Sequence, residues 1–175
     1  MNLKKNIKIL NQSKNLLPGG STFNKSNLFD NGETPYCLKK GFKAIVTDVD
    51  NNKYIDFMNG LGCNLLGYNI SFINKAVSKE IKRGVLLPLS NKLELEVAKK
   101  LNKLIPSAEM VRFGKNGSDV LTQAVKLSRF ITNKENVLFG GYHGWHDWVI
   151  SQTSRSGGIP GIEKKLSHKF IFNDI

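Results

Sequence analysis

The 175-residue sequence contains only two cysteines, Cys37 and Cys63, and it has no apolar stretch long enough to cross a membrane. Two cysteines exclude a disulfide scaffold and a zinc site made from cysteine alone. The first ten residues mix Lys and Asn into the apolar positions, which argues against a secretory signal peptide. We therefore expect a cytoplasmic protein without a membrane segment, in which both thiols stay reduced.

Acidic residues are also scarce, because 14 Asp and Glu stand against 26 Lys and Arg, a formal net charge of +12. Such an excess makes an anionic partner such as nucleic acid worth weighing. The lysines, however, are scattered through helical-looking stretches, and no known nucleic-acid-binding motif occurs. We favour a lysine-rich solvated surface and no nucleic-acid partner, and keep a basic nucleic-acid-binding module as the alternative.

Hydrophobic periodicity divides the chain into a small N-terminal segment, residues 1–70, and a larger α/β part, residues 71–175. In the first segment we predict an amphipathic helix over Asn2–Leu17, ended by Pro18-Gly19-Gly20. Two short apolar runs, 44–48 and 53–57, flank a turn-forming Asp-Asn-Asn and predict a β-hairpin. A glycine-rich loop is expected to follow, up to Tyr68.

The second segment begins with two predicted helices, about 71–83 and 90–105. After them the pattern changes to short apolar runs, predicted as strands, that alternate with a helix or a loop: strand Met110–Phe113, helix Ser118–Ile131, strand Val137–Phe139 and strand Phe170–Phe172. Strand, helix, strand, loop and strand in this order predict a mainly parallel sheet covered by helices.

A glycine-rich turn between the first of these strands and its helix is the first candidate site. A helix that opens here directs free backbone N–H groups and the positive end of its dipole at one point, where an anion binds. Asn116, Gly117 and Ser118 occupy that point, and Ser118 is a candidate N-cap or hydroxyl donor. The spacing is neither that of a P-loop nor that of a dinucleotide fingerprint, which argues against ATP and NAD.

An aromatic, histidine-containing loop follows the next strand and is the second candidate site. Because loops at the carboxyl ends of adjacent parallel strands converge, we expect Tyr142 in the same crevice as Ser118, facing a planar ligand. A structural tyrosine is the alternative. His143 either shapes the ligand pocket or bonds only to the loop backbone. A metal site is a further alternative, because His143, His146 and Asp147 are possible ligands. We do not favour it, because these residues lie in a glycine-rich loop without further ligands.

Short motifs follow one another along nearly the whole chain: Pro18-Gly19-Gly20, Asp48-Val49-Asp50 with Tyr54-Ile55-Asp56, Leu66-Gly67-Tyr68, Met110-Val111-Arg112, Asn116-Gly117-Ser118-Asp119 and Tyr142-His143-Gly144. In this order they resemble the class III aminotransferases, which use pyridoxal 5'-phosphate, and in particular the glutamate-1-semialdehyde aminomutase branch. The resemblance implies the N-terminal part of a pyridoxal-phosphate-dependent transferase of fold type I.

The resemblance also implies roles for individual residues. Asn116, Gly117 and Ser118 correspond to the turn that binds the cofactor phosphate, Tyr142 to the residue that stacks on the pyridine ring, and His143 to its neighbour in the pocket. The family's Schiff-base lysine, and the aspartate near the pyridine nitrogen, lie beyond the position of Ile175, so we expect no catalytic residue and an inactive fragment in this chain. A small-molecule amino donor, a carbonyl acceptor and a homodimer are implied as partners.

Three departures from the family pattern concern the cofactor turn and the substrate. The turn usually reads Ser-Gly-Thr-Glu-Ala, whereas residues 116–120 read Asn-Gly-Ser-Asp-Val, a set of changes that preserves an anion site. In the aminomutases an arginine follows the Pro-Gly-Gly element and a tryptophan precedes the glycine that matches Gly62. Ser26 and Leu61 stand at those positions. We therefore expect a substrate other than glutamate semialdehyde.

Overall fold

Residues 1–20 and 33–174 are described in the computed structural model of the protein. The chain forms two units, Met1–Leu89 and Ser90–Ile175. The sequence predicts a domain boundary at residue 70. That boundary refers to the domains of the complete fold, and it stays a prediction. Ser26 lies outside the described residues.

The first unit combines two α-helices with a three-stranded antiparallel sheet. Helix α1 spans Lys4–Leu16 and runs into a 3₁₀ turn at Pro18–Gly20. The strands are β1 (Leu38–Phe42), β2 (Ile45–Asp48) and β3 (Lys53–Ile55), paired in that order. The predicted helix and hairpin are confirmed, whereas β1 had no prediction. Helix α2, Ser71–Ile81, follows the glycine-rich loop as expected.

Two carboxylates of the hairpin join it to α1. Asp48 is fully buried and accepts hydrogen bonds from Asn6 Nδ2 (3.1 Å), Asn52 Nδ2 (2.7 Å) and Tyr54 Oη (2.9 Å). Leu3, the residue before α1, offers no side-chain cap, and Asp50 instead accepts the backbone N–H groups of Lys5 and Asn6 at 3.0 and 2.9 Å. The helix start is therefore capped from a distant turn.

The same contacts set the protonation of this cluster. Burial opposes ionisation of Asp48, but hydrogen bonds from Asn52 and Tyr54 outweigh burial and hold the pKa of Asp48 below its usual value. Burial, and then the hydrogen bond to Asp48, raises the pKa of Tyr54 to about 12. Asp48 is therefore the charged acceptor at the centre of the cluster.

The second unit is α/β, as predicted. Its elements are α3 (Lys92–Leu104), α4 (Gly117–Thr132), β4 (Val137–Gly140), α5 (Asp147–Ile150), α6 (Gly161–Leu166) and β5 (Ser167–Phe170). Strands β4 and β5 pair in parallel, with Val137 opposite Ser167 and Gly140 opposite Phe170. The parallel arrangement of these two strands confirms that part of the predicted sheet.

Three details of the second unit correct the sequence-based expectation. Met110–Phe113 is not a strand, because no segment within residues 1–20 or 33–174 pairs with it, and Met110 is 94 % exposed. The last strand is β5, which ends at Phe170, because its register with β4 begins at Ser167, and Ile171 and Phe172 lie beyond the ladder. The connection between β4 and β5 contains α5 and α6 and is not a plain loop.

A small aromatic core joins α4, β4 and α5. Phe139, Trp148 and Val149 are buried, and Leu121 and Val125 of α4 pack against them. The rings of Phe139 and Trp148 meet edge to face, with centroids 5.5 Å apart. Because β4 precedes residues 141–146 and α5 follows them, this core fixes both ends of the connecting segment, which is hereafter called the aromatic loop. Throughout the described parts of the chain, every helix is too short or too polar to cross a membrane.

Candidate functional site

The start of α4 presents unpaired backbone donors. Asn116 is the N-cap, and its Oδ1 accepts the backbone N–H of Asp119 at 3.0 Å while its Nδ2 donates to Asp119 Oδ2 at 2.8 Å. Within the residues that the structure describes, the N–H groups of Gly117 and Ser118 have no acceptor. Two N–H donors and the Ser118 hydroxyl therefore lie at the positive end of a 16-residue helix, which is an arrangement that binds anions.

The predicted position of this turn is confirmed in one respect and wrong in another. Gly117 and Ser118 lie at a helix N-terminus, as expected. The segment before them is not a strand, because it has no ladder partner among the described residues. The anion-binding geometry consequently comes from the helix start itself and its Asn116 cap, and not from the edge of a parallel sheet.

The aromatic loop begins directly after β4 and contains two glycines in the left-handed region. Gly141 has φ 77° and Gly144 has φ 108°, backbone conformations that residues with a Cβ atom rarely adopt. Tyr142, between them, has a side chain that is 81 % exposed. Its ring is thus available to a ligand on the open side of the loop.

The aromatic loop packs directly on the start of α4 at Gly144. A Cβ atom at Gly144 would lie 2.1 Å from Ser118 Oγ and 2.8 Å from Ser118 Cβ, so only glycine fits there. Tyr142 is two residues away, which places its Cα within about 7 Å of Gly144. The loop that carries Tyr142 therefore meets Ser118, although Ser118 does not follow a neighbouring strand, and a shared crevice for Tyr142 and Ser118 stays a prediction.

His143 points back into the loop and its core. Its Nε2 lies 2.5 Å from the carbonyl oxygen of Gly140, and its ring stacks on Trp148 with a 23° interplanar angle. Of the two alternatives from the sequence, the bond to the loop backbone is the contact that the structure shows. A direct contact between His143 and the cofactor stays a prediction.

A second hydrogen-bonded link between the loop and α4 was missed by sequence reasoning. Thr122 Oγ1 lies 2.8 Å from His146 Nδ1 and accepts the indole N–H of Trp148 at 2.9 Å. His146 Nε2 is 3.7 Å from Asp119 Oδ1. The available signal was weak: Thr122 stands one turn after Ser118 on the same helix face, and nothing local indicates which loop residue it meets.

The two histidines of this loop have hydrogen-bond partners within the protein. His143 and His146 direct ring nitrogens at Gly140 and Thr122. Over residues 1–20 and 33–174, no group of three or more His, Cys, Asp or Glu side chains is arranged to hold a metal ion.

The cavity of about 670 Å³ beside α4 and β4 is a different feature. Its lining includes Leu121, Val125, Leu138 and Phe170 but neither Ser118 nor Tyr142. It lies beside the strand pair, its lining also includes the polar residues Ser128, Arg129 and Lys134, and it is separate from the donors at the start of α4.

The donor set at α4 fits a phosphorylated planar cofactor. The space at Gly117 is open, since a Cβ atom built there would meet nothing within 4 Å. Backbone N–H groups and a hydroxyl suit a phosphate, and an exposed aromatic ring on the adjoining loop suits a flat heterocycle. The residues present are therefore compatible with such a ligand bound by its phosphate at Ser118.

Comparison with known proteins gives one consistent result. The sequence profile of the family described as Aminotransferase class-III matches residues 28–172. The 3-aminobutyryl-CoA aminotransferase of Cloacimonas acidaminovorans is 35 % identical over 177 residues, covering 100 % of this chain and 42 % of that protein. The glutamate-1-semialdehyde 2,1-aminomutase of Wigglesworthia glossinidia brevipalpis is 31 % identical over 149 residues, 84 % of this chain and 34 % of that protein.

Comparison with solved structures agrees with the sequence comparison. The crystal structure of an omega-transaminase from Sphaerobacter thermophilus superposes with a TM-score of 0.84 at 25 % identity, over 97 % of this chain and 42 % of that one. The chain thus spans well under half the length of the relatives it matches.

Proposed function

Because this chain belongs to the class III aminotransferase family, whose enzymes depend on pyridoxal phosphate, we propose that it supplies the phosphate and ring contacts of such an enzyme's cofactor site. The observation that carries the proposal is the start of α4: the N–H groups of Gly117 and Ser118 have no acceptor among the described residues, the space beside Gly117 is open, and the loop with the exposed Tyr142 packs against Ser118.

Each residue of the site has a distinct task in this proposal. The N–H groups of Gly117 and Ser118, together with the Ser118 hydroxyl, bind the cofactor phosphate, and the helix dipole adds to that attraction. Asn116 fixes the turn through its two hydrogen bonds to Asp119. Tyr142 stacks on the pyridine ring, and His143 shapes the loop that presents it. The bound cofactor supplies an electron sink for the exchange of an amino group.

The substrates are, in this proposal, a small-molecule amino donor and a carbonyl acceptor, with no nucleic acid involved. The names of the relatives differ in the compound acted on, so the family alone does not specify the pair. Leu61 stands where the aminomutases carry tryptophan and has an exposed side chain at a left-handed φ of 58°. This difference supports a substrate other than glutamate semialdehyde.

We further propose that residues 1–175 alone do not transfer amino groups, because the family's Schiff-base lysine corresponds to a position beyond Ile175. The short coverage of the relatives supports this. The complete enzyme is proposed to be a homodimer, which is supported by the exposed apolar side chains of α2 and α3, among them Phe72 and Leu95. Two free cysteines support a reducing, cytoplasmic location.

Cofactor titration tests the site. Loss of the Ser118 hydroxyl in Ser118→Ala removes a hydrogen bond to a charged group and should weaken pyridoxal phosphate binding roughly tenfold or more. Tyr142→Ala removes about 1 kcal/mol of aromatic stacking, or roughly fivefold in Kd. Equilibrium dialysis gives both values.

Trp145→Ala is the matched control, because Trp145 is on the same loop and is similarly exposed, at 73 % against 81 % for Tyr142. Its Kd should stay within about twofold of the wild type. Equal losses for Tyr142→Ala and Trp145→Ala, or unchanged binding in Ser118→Ala, would contradict the assignment of this site.

A further inference from the structure

A continuous set of polar contacts crosses from the aromatic core to the start of α4. Trp148 Nε1 donates to Thr122 Oγ1, and Thr122 Oγ1 meets His146 Nδ1 at 2.8 Å. On its other side, His146 Nε2 faces Asp119 Oδ1 at 3.7 Å. Asp119 is in turn bonded to Asn116, the cap of the phosphate turn. One end of the series is in the core and the other is at the proposed cofactor site.

One tautomer of a neutral His146 suits both of its neighbours in this series. The Thr122 hydroxyl carries one proton, and its oxygen already accepts the N–H of Trp148. Its proton is therefore free to be donated to Nδ1 of a neutral His146. In that tautomer the ring proton is on Nε2, which faces the Asp119 carboxylate at 3.7 Å, an electrostatic contact longer than a hydrogen bond. The same His146 ring thus joins a hydroxyl and a carboxylate that both belong to α4.

His146 is well placed to transmit that link to the loop. It is the residue before α5, and its carbonyl oxygen accepts the first backbone bonds of that helix, from Val149 and Ile150 at 2.9 and 3.0 Å. The backbone of His146 therefore forms the end of the aromatic loop, whereas its side chain contacts α4. In the middle of the loop, Gly144 also contacts α4, against Ser118.

We propose that His146 is a positioning residue that holds the aromatic loop against α4 and so presents Tyr142 to the cofactor, an inference that rests on the proposed function of the site. His146 itself does not touch the cofactor. Without the link, the loop keeps its ends, the stacking of His143 on Trp148 and the Gly144 contact, and ligand binding has to order the rest. Weaker cofactor binding and a less protected loop are then both expected.

Amide hydrogen exchange and cofactor titration on the intact chain test this together. In Thr122→Val, which keeps the side-chain shape and removes the hydroxyl, and in His146→Ala, the amides of residues 142–147 should exchange about tenfold faster without cofactor. The Kd for pyridoxal phosphate should rise about fivefold or more. Thr122→Ser retains the hydroxyl and should restore both values to within about twofold of the wild type.

His168→Asn is the matched control, because His168 is on β5, away from the loop. Its Nε2 lies 3.0 Å from Asn136 Oδ1. This variant should leave loop exchange and Kd unchanged. His146→Asn, whose amide can still reach Thr122 but not Asp119, should give intermediate exchange and retains a polar group if His146→Ala folds poorly.

The outcomes separate the inference from the proposed function. Loop exchange within about twofold of the wild type in Thr122→Val and His146→Ala, or equal loosening in Thr122→Ser, overturns the role of His146. A wild-type chain that binds no pyridoxal phosphate refutes the proposed function and its cofactor consequence. The exchange measurement still decides, in that case, whether His146 holds the loop.

Discussion

Gly144 offers the sharpest test of how the two halves of the site meet. Replacement by alanine has two costs: a left-handed φ of 108° and a Cβ atom 2.1 Å from Ser118 Oγ. The backbone cost for an L-residue is about 1–2 kcal/mol. Forcing an extra methyl into a packed contact adds about 1–3 kcal/mol. The free energy of unfolding of Gly144→Ala should therefore fall by about 2–5 kcal/mol.

Gly141→Ala separates these two contributions. Gly141 is on the same loop with φ 77°, but nothing lies within 4 Å of a Cβ atom built there. Only the backbone cost of about 1–2 kcal/mol applies. Urea unfolding followed by tryptophan emission gives both values, because Trp148 is in the core beside the loop. Gly144→Ala should also weaken cofactor binding more than Gly141→Ala, since it separates the loop from Ser118.

A double-mutant cycle identifies the clashing partner. Ser118→Gly removes the two nearest atoms and leaves the Ser118 Cα at 3.2 Å from the built Cβ. In that background the cost of Gly144→Ala should decrease by at least about 1 kcal/mol. Two results would contradict this account: a Gly144→Ala variant as stable as Gly141→Ala, or a loss of stability in Gly144→Ala that is the same in the wild-type and Ser118→Gly backgrounds. Either result would show that the aromatic loop does not contact the start of α4 and that the proposed site is wrong.

Two further predictions concern the first unit and the lysines. Asp48→Asn removes a buried charged acceptor and should lower the free energy of unfolding by about 2–3 kcal/mol in urea titrations. Because the folded-state pKa of Asp48 is lowered, its contribution is complete above the unfolded value of about 3.9 and is lost as the pH falls through the folded-state pKa. Wild-type stability should decline over that range more steeply than that of Asp48→Asn, and equal slopes would contradict this account. Borohydride reduction of residues 1–175 with pyridoxal phosphate, mapped by mass spectrometry, should label no single lysine stoichiometrically; one fully labelled lysine with amino transfer to a keto acid would show a complete enzyme.

Local chemistry made the helix start at Gly117 predictable. A glycine-rich turn with capping side chains indicates a helix N-terminus from neighbouring residues alone, although the N-cap of α4 is Asn116 and not Ser118, the candidate from the sequence. The hairpin was predictable for the same reason, since Asp50, Asn51 and Asn52 form its turn and Asn51 adopts φ 74°. In both places the residues that decide the structure lie within one turn of each other.

The errors arose where a partner distant in sequence decides the structure. Met110–Phe113 has the apolar run of a strand, but a strand needs a ladder partner, and none of the described segments provides one. Thr122 has an ordinary position on a helix, and its importance depends on His146, 24 residues later. The cap that Asp50 provides to α1 spans 44 residues at Asn6. No periodicity in one sequence indicates such pairs.

The phosphate turn and the aromatic loop are therefore stabilised by different interactions, and substitutions in them should have different effects. The phosphate turn is formed by its own helix, through a cap, a dipole and free N–H groups, so removal of the Ser118 hydroxyl should reduce cofactor affinity with little effect on stability. The aromatic loop has no such local support, because Gly144, His146 and Trp148 connect it to α4 and to the core. Substitutions at Gly144, His146 or Trp148 should reduce affinity and loop protection together. A variant that loosened the loop yet bound the cofactor as tightly as the wild type would show that Tyr142 does not contribute to the site.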